Sequence, residues 1–214
     1  MKIGTIGAGR MVEALGGRWV RAGHEVMIGA RNPQSAKEVA DRIGAAGSGS
    51  LSEAAEFGDV VLFGVKKDAV ESALEAAGAR EGSLSGKVVI DCGNAVNTAD
   101  FSLMTWEGKS FAEHAEAIAT GSRVVKAFNL AAYTVWELDP VSYDGRPLAV
   151  PFCGEDAAKK LVEPLITDLG ASALDIGDLR QARHLEAMGV VIVKMLFTGH
   201  GLNSVFQFIE AAPA

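Results

Sequence analysis

A doubly wound α/β fold with a mostly parallel sheet is predicted for this chain, and three observations predict it. Short apolar runs alternate with helix-patterned stretches along most of the 214 residues, the order that builds a parallel sheet covered on both faces. Several runs, residues 59–65 above all, are apolar almost throughout rather than alternating, as strands buried on both faces must be. The first run ends in Gly7-Ala8-Gly9, a sharp turn that opens a helix. Ligands of such sheets sit outside the carboxyl ends of the strands, near the switch in strand order.

Each element follows from its local pattern. Residues 2–6 form the first strand, 12–22 the first helix and 25–29 the second strand. Residues 35–43 have helical periodicity, and the Gly- and Ser-rich run 44–50 is a loop leading into a short third strand. Residues 51–56 read as a small helix opened by a polar cap. Strands are expected at 59–65, 87–91, 123–128, 148–153 and 173–176, and helices at 68–77, 110–118 and 155–169. Residues 179–209 are predicted to be predominantly helical and apolar on more than one face. The organisation expected is a Rossmann-type dinucleotide-binding domain over residues 1–178. A small C-terminal helical region over 179–214 would serve packing and a second ligand.

The glycine turn carries the first chemical inference. Gly7 lets the chain leave the strand sharply, and Gly9 lets the backbone approach a pyrophosphate closely. The helix that follows offers unpaired N–H groups and a positive dipole end to the anion. The third glycine of the fingerprint is replaced by Val12. That change either pushes the first helix outward or is absorbed by small neighbours such as Gly16 and Gly17. At the end of the second strand a carboxylate would hold the ribose hydroxyls of NAD. Arg31 stands there instead, followed by Asn32, Ser35 and Lys37. A guanidinium binds a 2′-phosphate through paired charge-assisted hydrogen bonds, and the amide and hydroxyl complete the cup. The expected cofactor is therefore NADP(H).

Composition narrows the remaining classes. Hydrophobic residues make up 49% of the chain, enough for a substantial core. The net charge of -7 with no basic patch argues against a nucleic-acid partner. No charged n-region followed by an apolar stretch opens the chain, and run 188–197 is interrupted by Lys194. Neither a leader nor a membrane span is expected, and the default location is cytoplasmic. Cys92 and Cys153 lie in apolar strand-like runs and read as buried structural thiols. His24, His114, His184 and His200 show no ligand spacing, so no metal site is expected.

Three further strand ends carry candidates. Gly64-Val65-Lys66-Lys67 would pass the ribose and nicotinamide, and its lysines suit a phosphate or an acidic substrate, or equally a solvated helix start. Asp91-Cys92-Gly93-Asn94 suits a backbone held against the nicotinamide ribose, or a simple turn. At the end of 124–129, Asn129 would face the carboxamide or an incoming acceptor, with Ala127 and Phe128 as walls; core packing is the equal alternative. Further on, Arg183 and Glu186 have the spacing of a pair on one helix face.

Taken together, Gly7-Ala8-Gly9, Ile28-Gly-Ala-Arg-Asn-Pro33, Asp91-Cys-Gly-Asn94, Val125-Lys-Ala-Phe-Asn129, Pro151-Phe-Cys-Gly-Glu155 and Leu174-Asp-Ile-Gly-Asp-Leu179 with Ala182-Arg183 resemble the NADPH-dependent deazaflavin (F-420) reductases. The F-420-dependent NADP oxidoreductases are the best-known members of that family. The same order of segments is similar to the oxidoreductase domain of six-transmembrane ferric reductases. The resemblance covers nearly the whole chain. It implies hydride transfer between NADP(H) and a flavin-like acceptor, deazaflavin F-420 or a flavin. By position it implies that Gly7, Ala8, Gly9, Arg10 and Met11 hold the pyrophosphate. Arg31, Asn32 and Ser35 would hold the 2′-phosphate, and Val65, Asn94 and Ala127 would border the nicotinamide. Two positions depart from the family pattern: Ala30 replaces a frequent serine, and Lys66-Lys67 replaces an apolar, proline-bearing loop.

Hydride transfer between two rings asks stacking, orientation and dryness of the protein, so no proton-transferring residue is nominated. Two other classes are open. One is an imine or carbonyl reductase resembling pyrroline-5-carboxylate reductase, and the other a non-catalytic NADPH sensor. The apolar excess of the last helical stretch points to a homodimer.

Overall fold

The computed structural model of the chain describes residues 1–209. The first half alternates strictly. β1 (Lys2–Ile6) leads to α1 (Arg10–Arg21), β2 (Glu25–Gly29) to α2 (Pro33–Ile43), and β3 (Gly47–Gly49) to α3 (Leu51–Phe57). β4 (Val60–Phe63) is followed by a 3-10 turn at Lys67–Ala69 and α4 (Val70–Ala76), then β5 (Val88–Asp91). The third strand lies inside the Gly- and Ser-rich run 44–50 rather than after it.

Between β5 and the next long strand, two short strands, β6 (Val96–Asn97) and β7 (Ser102–Leu103), form an antiparallel pair. Then come α5 (Phe111–Ile118), β8 (Arg123–Lys126), the one-turn α6 (Tyr133–Trp136) and the small pair β9 (Ser142–Tyr143) and β10 (Arg146–Pro147). The chain continues with β11 (Ala149–Gly154), α7 (Asp156–Thr167), β12 (Ser172–Asp175), a 3-10 turn at Leu179–Gln181 and α8 (Ala182–Phe197).

The eight-stranded sheet has the order β12-β11-β8-β5-β4-β1-β2-β3. From β8 to β3 all neighbours are parallel. β11 runs antiparallel to β8, and β12 is parallel to β11. A parallel neighbour needs a crossover. The connection from β8 to β11 holds only one turn of helix and a two-residue hairpin, so the chain returns beside β8 in the opposite sense. β1 lies between β2 and β4, and the strand order reverses there. Two apolar layers cover the sheet. α1, α2, α6 and α7 bury Leu15, Trp19, Val39, Trp136 and Val162 on one face. α3, α4, α5 and α8 bury Leu51, Leu74, Phe111 and Leu185 on the other.

The last helix is shorter than its composition predicts. α8 ends at Phe197 rather than Ile209. Thr198 caps it, and Gly199 takes φ +99°, a left-handed value that stops a helix. Residues 198–209 then run back without helix. Leu202 O accepts from Thr134 Oγ1 at 3.1 Å, and Asn203 O from Tyr143 Oη at 2.7 Å. The Gln207 side chain bonds the Ala149 amide and the Pro147 carbonyl. The expected C-terminal helical region is thus one helix plus a strap, and its residues 210–214 lie outside the described residues. No described helix is long and apolar enough to cross a membrane.

Candidate functional site

The carboxyl end of β1 is held open by local bonding. Thr5, fully buried, accepts from the Gly29 amide at 3.1 Å and donates to Gly7 O at 2.9 Å. Gly7 N donates to Gly29 O at 2.9 Å. Gly7 has φ +121°, and a methyl there would come 2.6 Å from Gly64 O. Only glycine meets both demands. Gly9 is the N-cap of α1, and no side chain caps that helix. By contrast, Asn32, Ser50 and Ser110 cap α2, α3 and α5 through their side chains. The first amides of α1 therefore remain available to an anion.

Val12 is absorbed by a partner that the sequence did not suggest. A methyl on Gly64 would lie 2.5 Å from Val12 Cγ2, so Gly64 supplies the room that the missing glycine would have made. Gly16 and Gly17 instead face Ile43, Val26 and Ile28. Helix and strand keep close packing by exchanging which of them carries the glycine.

A cleft of about 390 Å³ opens at these strand ends. Its lining includes Gly7, Ala8, Gly9, Arg31, Asn32, Ser35, Gly64, Val65 and Lys66. A neighbouring hollow of about 450 Å³ shares Arg31 and Ala30 and reaches Ser50 and Glu53. Arg31 is exposed and makes no ion pair among the described residues. Asn32 Oδ1 accepts from the amides of Gln34 and Ser35 at 2.9 and 3.3 Å, so its carbonyl is committed to the helix cap and its Nδ2 remains free to donate. Lys37 turns away and pairs with Asp41 at 2.8 Å. Arg10, the first residue of α1, is exposed, donates to Tyr133 Oη at 2.9 Å and lies over that ring at 5.0 Å. Met11 is half-buried against the core.

A third hollow, about 310 Å³, is lined by Val65, Lys66, Lys67, Asp68, Asn94, Val96, Thr98 and Val193. It shares Val65 and Lys66 with the first cleft. Two further candidates are buried. Ala127 has no exposed surface and Asn129 only 2%. Asn129 Nδ2 donates to Asn94 Oδ1 and Leu185 O, both at 2.9 Å, and Asn129 O accepts from Asn94 Nδ2 at 2.7 Å. Asn129 therefore orients Asn94 and meets α8 through the Leu185 carbonyl. Phe128, between the two, holds φ +66° and packs edge-on against Trp19 and Trp136.

Beneath this hollow lies a charge cluster that periodicity does not reveal. Lys126 Nζ sits 2.8 Å from Asp91 Oδ2, 3.1 Å from Glu186 Oε1 and 2.6 Å from Gly93 O. All three ionisable side chains are fully buried. Glu186 also accepts from the amides of Phe111 and Ala112 at the start of α5. The expected Arg183–Glu186 pair is not formed; Arg183 reaches Glu113 at 3.2 Å. Helical spacing put the two on adjacent positions, but burial selected a different cation for Glu186. Desolvation keeps the Asp91 carboxyl above its usual range despite Lys126. Desolvation also works against the Lys126 ammonium, yet the two carboxylates outweigh it and hold its pKa above the ordinary value. Cys92 and Cys153 are free and buried, and burial pushes both thiols up to about 12. That makes them inert packing groups.

A glycine turn at the strand-order switch opens a helix with no side-chain cap among the described residues, and an arginine with no ion pair among them lies on the same cleft; this arrangement defines a dinucleotide-binding fold of the Rossmann type. Residues 2–95 match the family described as NADP oxidoreductase, coenzyme F420-dependent. It is similar to the F420-dependent NADP reductase of Methanothermobacter marburgensis, 29% identical over 216 residues, covering 91% of this chain and 92% of that protein. It is also similar to the metalloreductase STEAP3 of Rattus norvegicus, 28% identical over 188 residues. That match covers 87% of this chain, which spans roughly a third (36%) of the metalloreductase. A solved structure of a candidate F420-dependent NADP-reductase from Arthrobacter sp. FB24 superposes with a TM-score of 0.86 at 25% identity, covering 98% of this chain and all of that one. An imine reductase from Myxococcus stipitatus shares the fold alone, with a TM-score of 0.68 at 18% identity over 93% of this chain and 63% of its own.

Proposed function

We propose that the chain binds NADP(H) in the first cleft and passes hydride between it and a flavin-like acceptor, deazaflavin F-420 or a flavin, in the adjoining hollow. One observation carries the reading. The glycine turn, Arg31 and Ser35 share a single cleft, and that cleft continues through Val65 and Lys66 into a second hollow walled by Asn94 and Val193. When bound, the dinucleotide supplies the redox chemistry. The residues of this chain bind and orient. The amides at the start of α1, the Gly7 and Gly9 backbone and Arg10 suit a diphosphate. The Arg31 guanidinium, the Ser35 hydroxyl and Asn32 Nδ2 suit a 2′-phosphate. Val65, Val96 and Val193 offer an apolar, water-excluding surface to a ring, and Lys66 is available to an acidic group on either ligand.

Support for the acceptor class comes from the family that residues 2–95 match and from the reductase that is similar over nearly its whole length. The decisive experiment is stopped-flow absorbance of NADPH mixed with the protein and F-420, flavin mononucleotide or riboflavin. Oxidation at a saturable rate with at least one of them is expected. Indifference to all three would sink the acceptor reading, and tight NADPH binding without turnover would favour a sensor. We also propose a homodimer through α8 and the strap. Val191 is 48% and Phe197 68% exposed, and Phe206, Phe208 and Ile209 of the strap are exposed as well, more apolar surface than a monomer usually leaves open.

A further inference from the structure

α8 meets the rest of the molecule at two places beside the 91–94 loop. The first is charged. Glu186 binds Lys126 at 3.1 Å and the first two amides of α5, and Lys126 holds Asp91 and the Gly93 carbonyl. The second is steric. A methyl on Gly189 would overlap Asn94 Oδ1, the atom that accepts from Asn129. Leu185 O takes the other hydrogen of that amide. Val193, four residues beyond Gly189 and seven beyond Glu186, lines the 310 Å³ hollow with Asn94. Spacings of four and seven put all three on one helix face.

We infer that Glu186 and Gly189 are positioning residues, clamping α8 onto the 91–94 loop and thereby setting the shape of the hollow between Val193 and Asn94. The inference rests on the reading that this hollow takes the acceptor. A helix moves as a rigid rod, so a shift at its seat is carried one turn along to Val193. An apolar contact would hold α8 as firmly, since buried ion clusters add little net stability. What the cluster adds is direction. It ties the helix to one carbonyl of the loop and to two amides of α5, and so specifies register. Gly189 lets the helix backbone come down onto Asn94, whose amide is then locked in one orientation by Asn129.

Gly189→Ala and Glu186→Gln in the full chain test this. Alanine is the better residue for a helix interior, so any loss from the first change comes from the overlap with Asn94 and not from the helix itself. The expected result for Gly189→Ala is a rise of about fivefold or more in KM for F-420 or flavin mononucleotide, with the NADPH Kd moving less than about twofold. Amide hydrogen exchange is expected to quicken together at residues 93–94 and 185–189, while β1, α1 and β2 exchange as before. Glu186→Gln, which cannot accept at both positions, is expected to show the same pattern more strongly. In an Asn94→Ala background the overlap is gone, so Gly189→Ala is expected to add less than about twofold. Unchanged acceptor KM in Gly189→Ala, or faster exchange in α8 that leaves residues 93–94 untouched, overturns the inference. Wild-type protein that reduces no acceptor defeats the acceptor reading instead, and the exchange measurement still decides whether α8 and the loop move as one.

Discussion

Arg31 makes the sharpest residue-level choice in the molecule. It lines two hollows, carries no described ion pair, and stands where a carboxylate would select the unphosphorylated nucleotide. A charge-assisted hydrogen bond contributes about 1.5–3 kcal/mol, which is roughly 10- to 150-fold in affinity. Arg31→Ser is therefore expected to weaken NADPH by that factor and to leave NADH almost unchanged, as isothermal titration with both nucleotides would show. Equal weakening of both would mean that Arg31 acts on the fold and not on the phosphate. This residue was legible in the sequence, because strand, turn and arginine lie within one short stretch. Glu186 was not. Its partner Lys126 comes from β8 and its amide donors from the start of α5, and no local spacing connects them.

At the scale of elements, the contact of α1 with the end of β4 shows how a motif can be altered without loss. Val12 fills the space that Gly64 leaves, at a separation that admits no further methyl. Gly64→Ala is expected to destabilise the chain by about 1–3 kcal/mol through overpacking. Val12→Gly is expected to cost helix propensity and packing. The double variant is expected to be more stable than the sum of the two single losses predicts, because each change makes room for the other. Urea denaturation of all three variants measures this, and simple additivity would mean that Val12 and Gly64 do not share the space. Sequence reasoning named Gly16 and Gly17 as the absorbers. They lie on the same helix but face α2 and β2, and only the docking of α1 on the sheet decided which glycine mattered.

At the scale of the whole molecule, pH dependence and self-association can both be predicted. Burial alone would raise the Glu113 carboxyl, but the Ser110 amide and hydroxyl and the Arg183 guanidinium outweigh it and hold its pKa below the ordinary value. Asp175 is likewise held low against burial, by Lys159 and the Gly177 amide. A carboxyl lowered in the folded state adds stability above its unfolded pKa, near about 4. That stability is lost as the pH falls through the folded value. Stability is therefore expected to decline on acidification below about pH 4–5. Glu113→Gln, which cannot ionise, is expected to make that acid limb shallower. Chemical denaturation at a series of pH values checks the sign, and an unchanged limb would refute the role of Glu113. Val191→Glu, on the exposed face of α8, is expected to shift a dimer toward monomer in sedimentation velocity at micromolar concentration. A wild-type monomer under the same conditions would remove the dimer.

The sequence by itself determined the alternation of strands and helices, the glycine turn and the arginine at the end of the second strand. Each of these is written in contiguous residues whose backbone needs or charge are local. Tertiary structure alone decided the reversed sense of β11 and β12, the early end of α8, the pairing of Val12 with Gly64, the burial of Ala127 in the core and that of Asn129 against the last helix. These depend on which distant surfaces meet. The ion cluster of Asp91, Lys126 and Glu186 belongs with them, because a buried charge takes the partner that packing brings to it, not the one nearest along the chain.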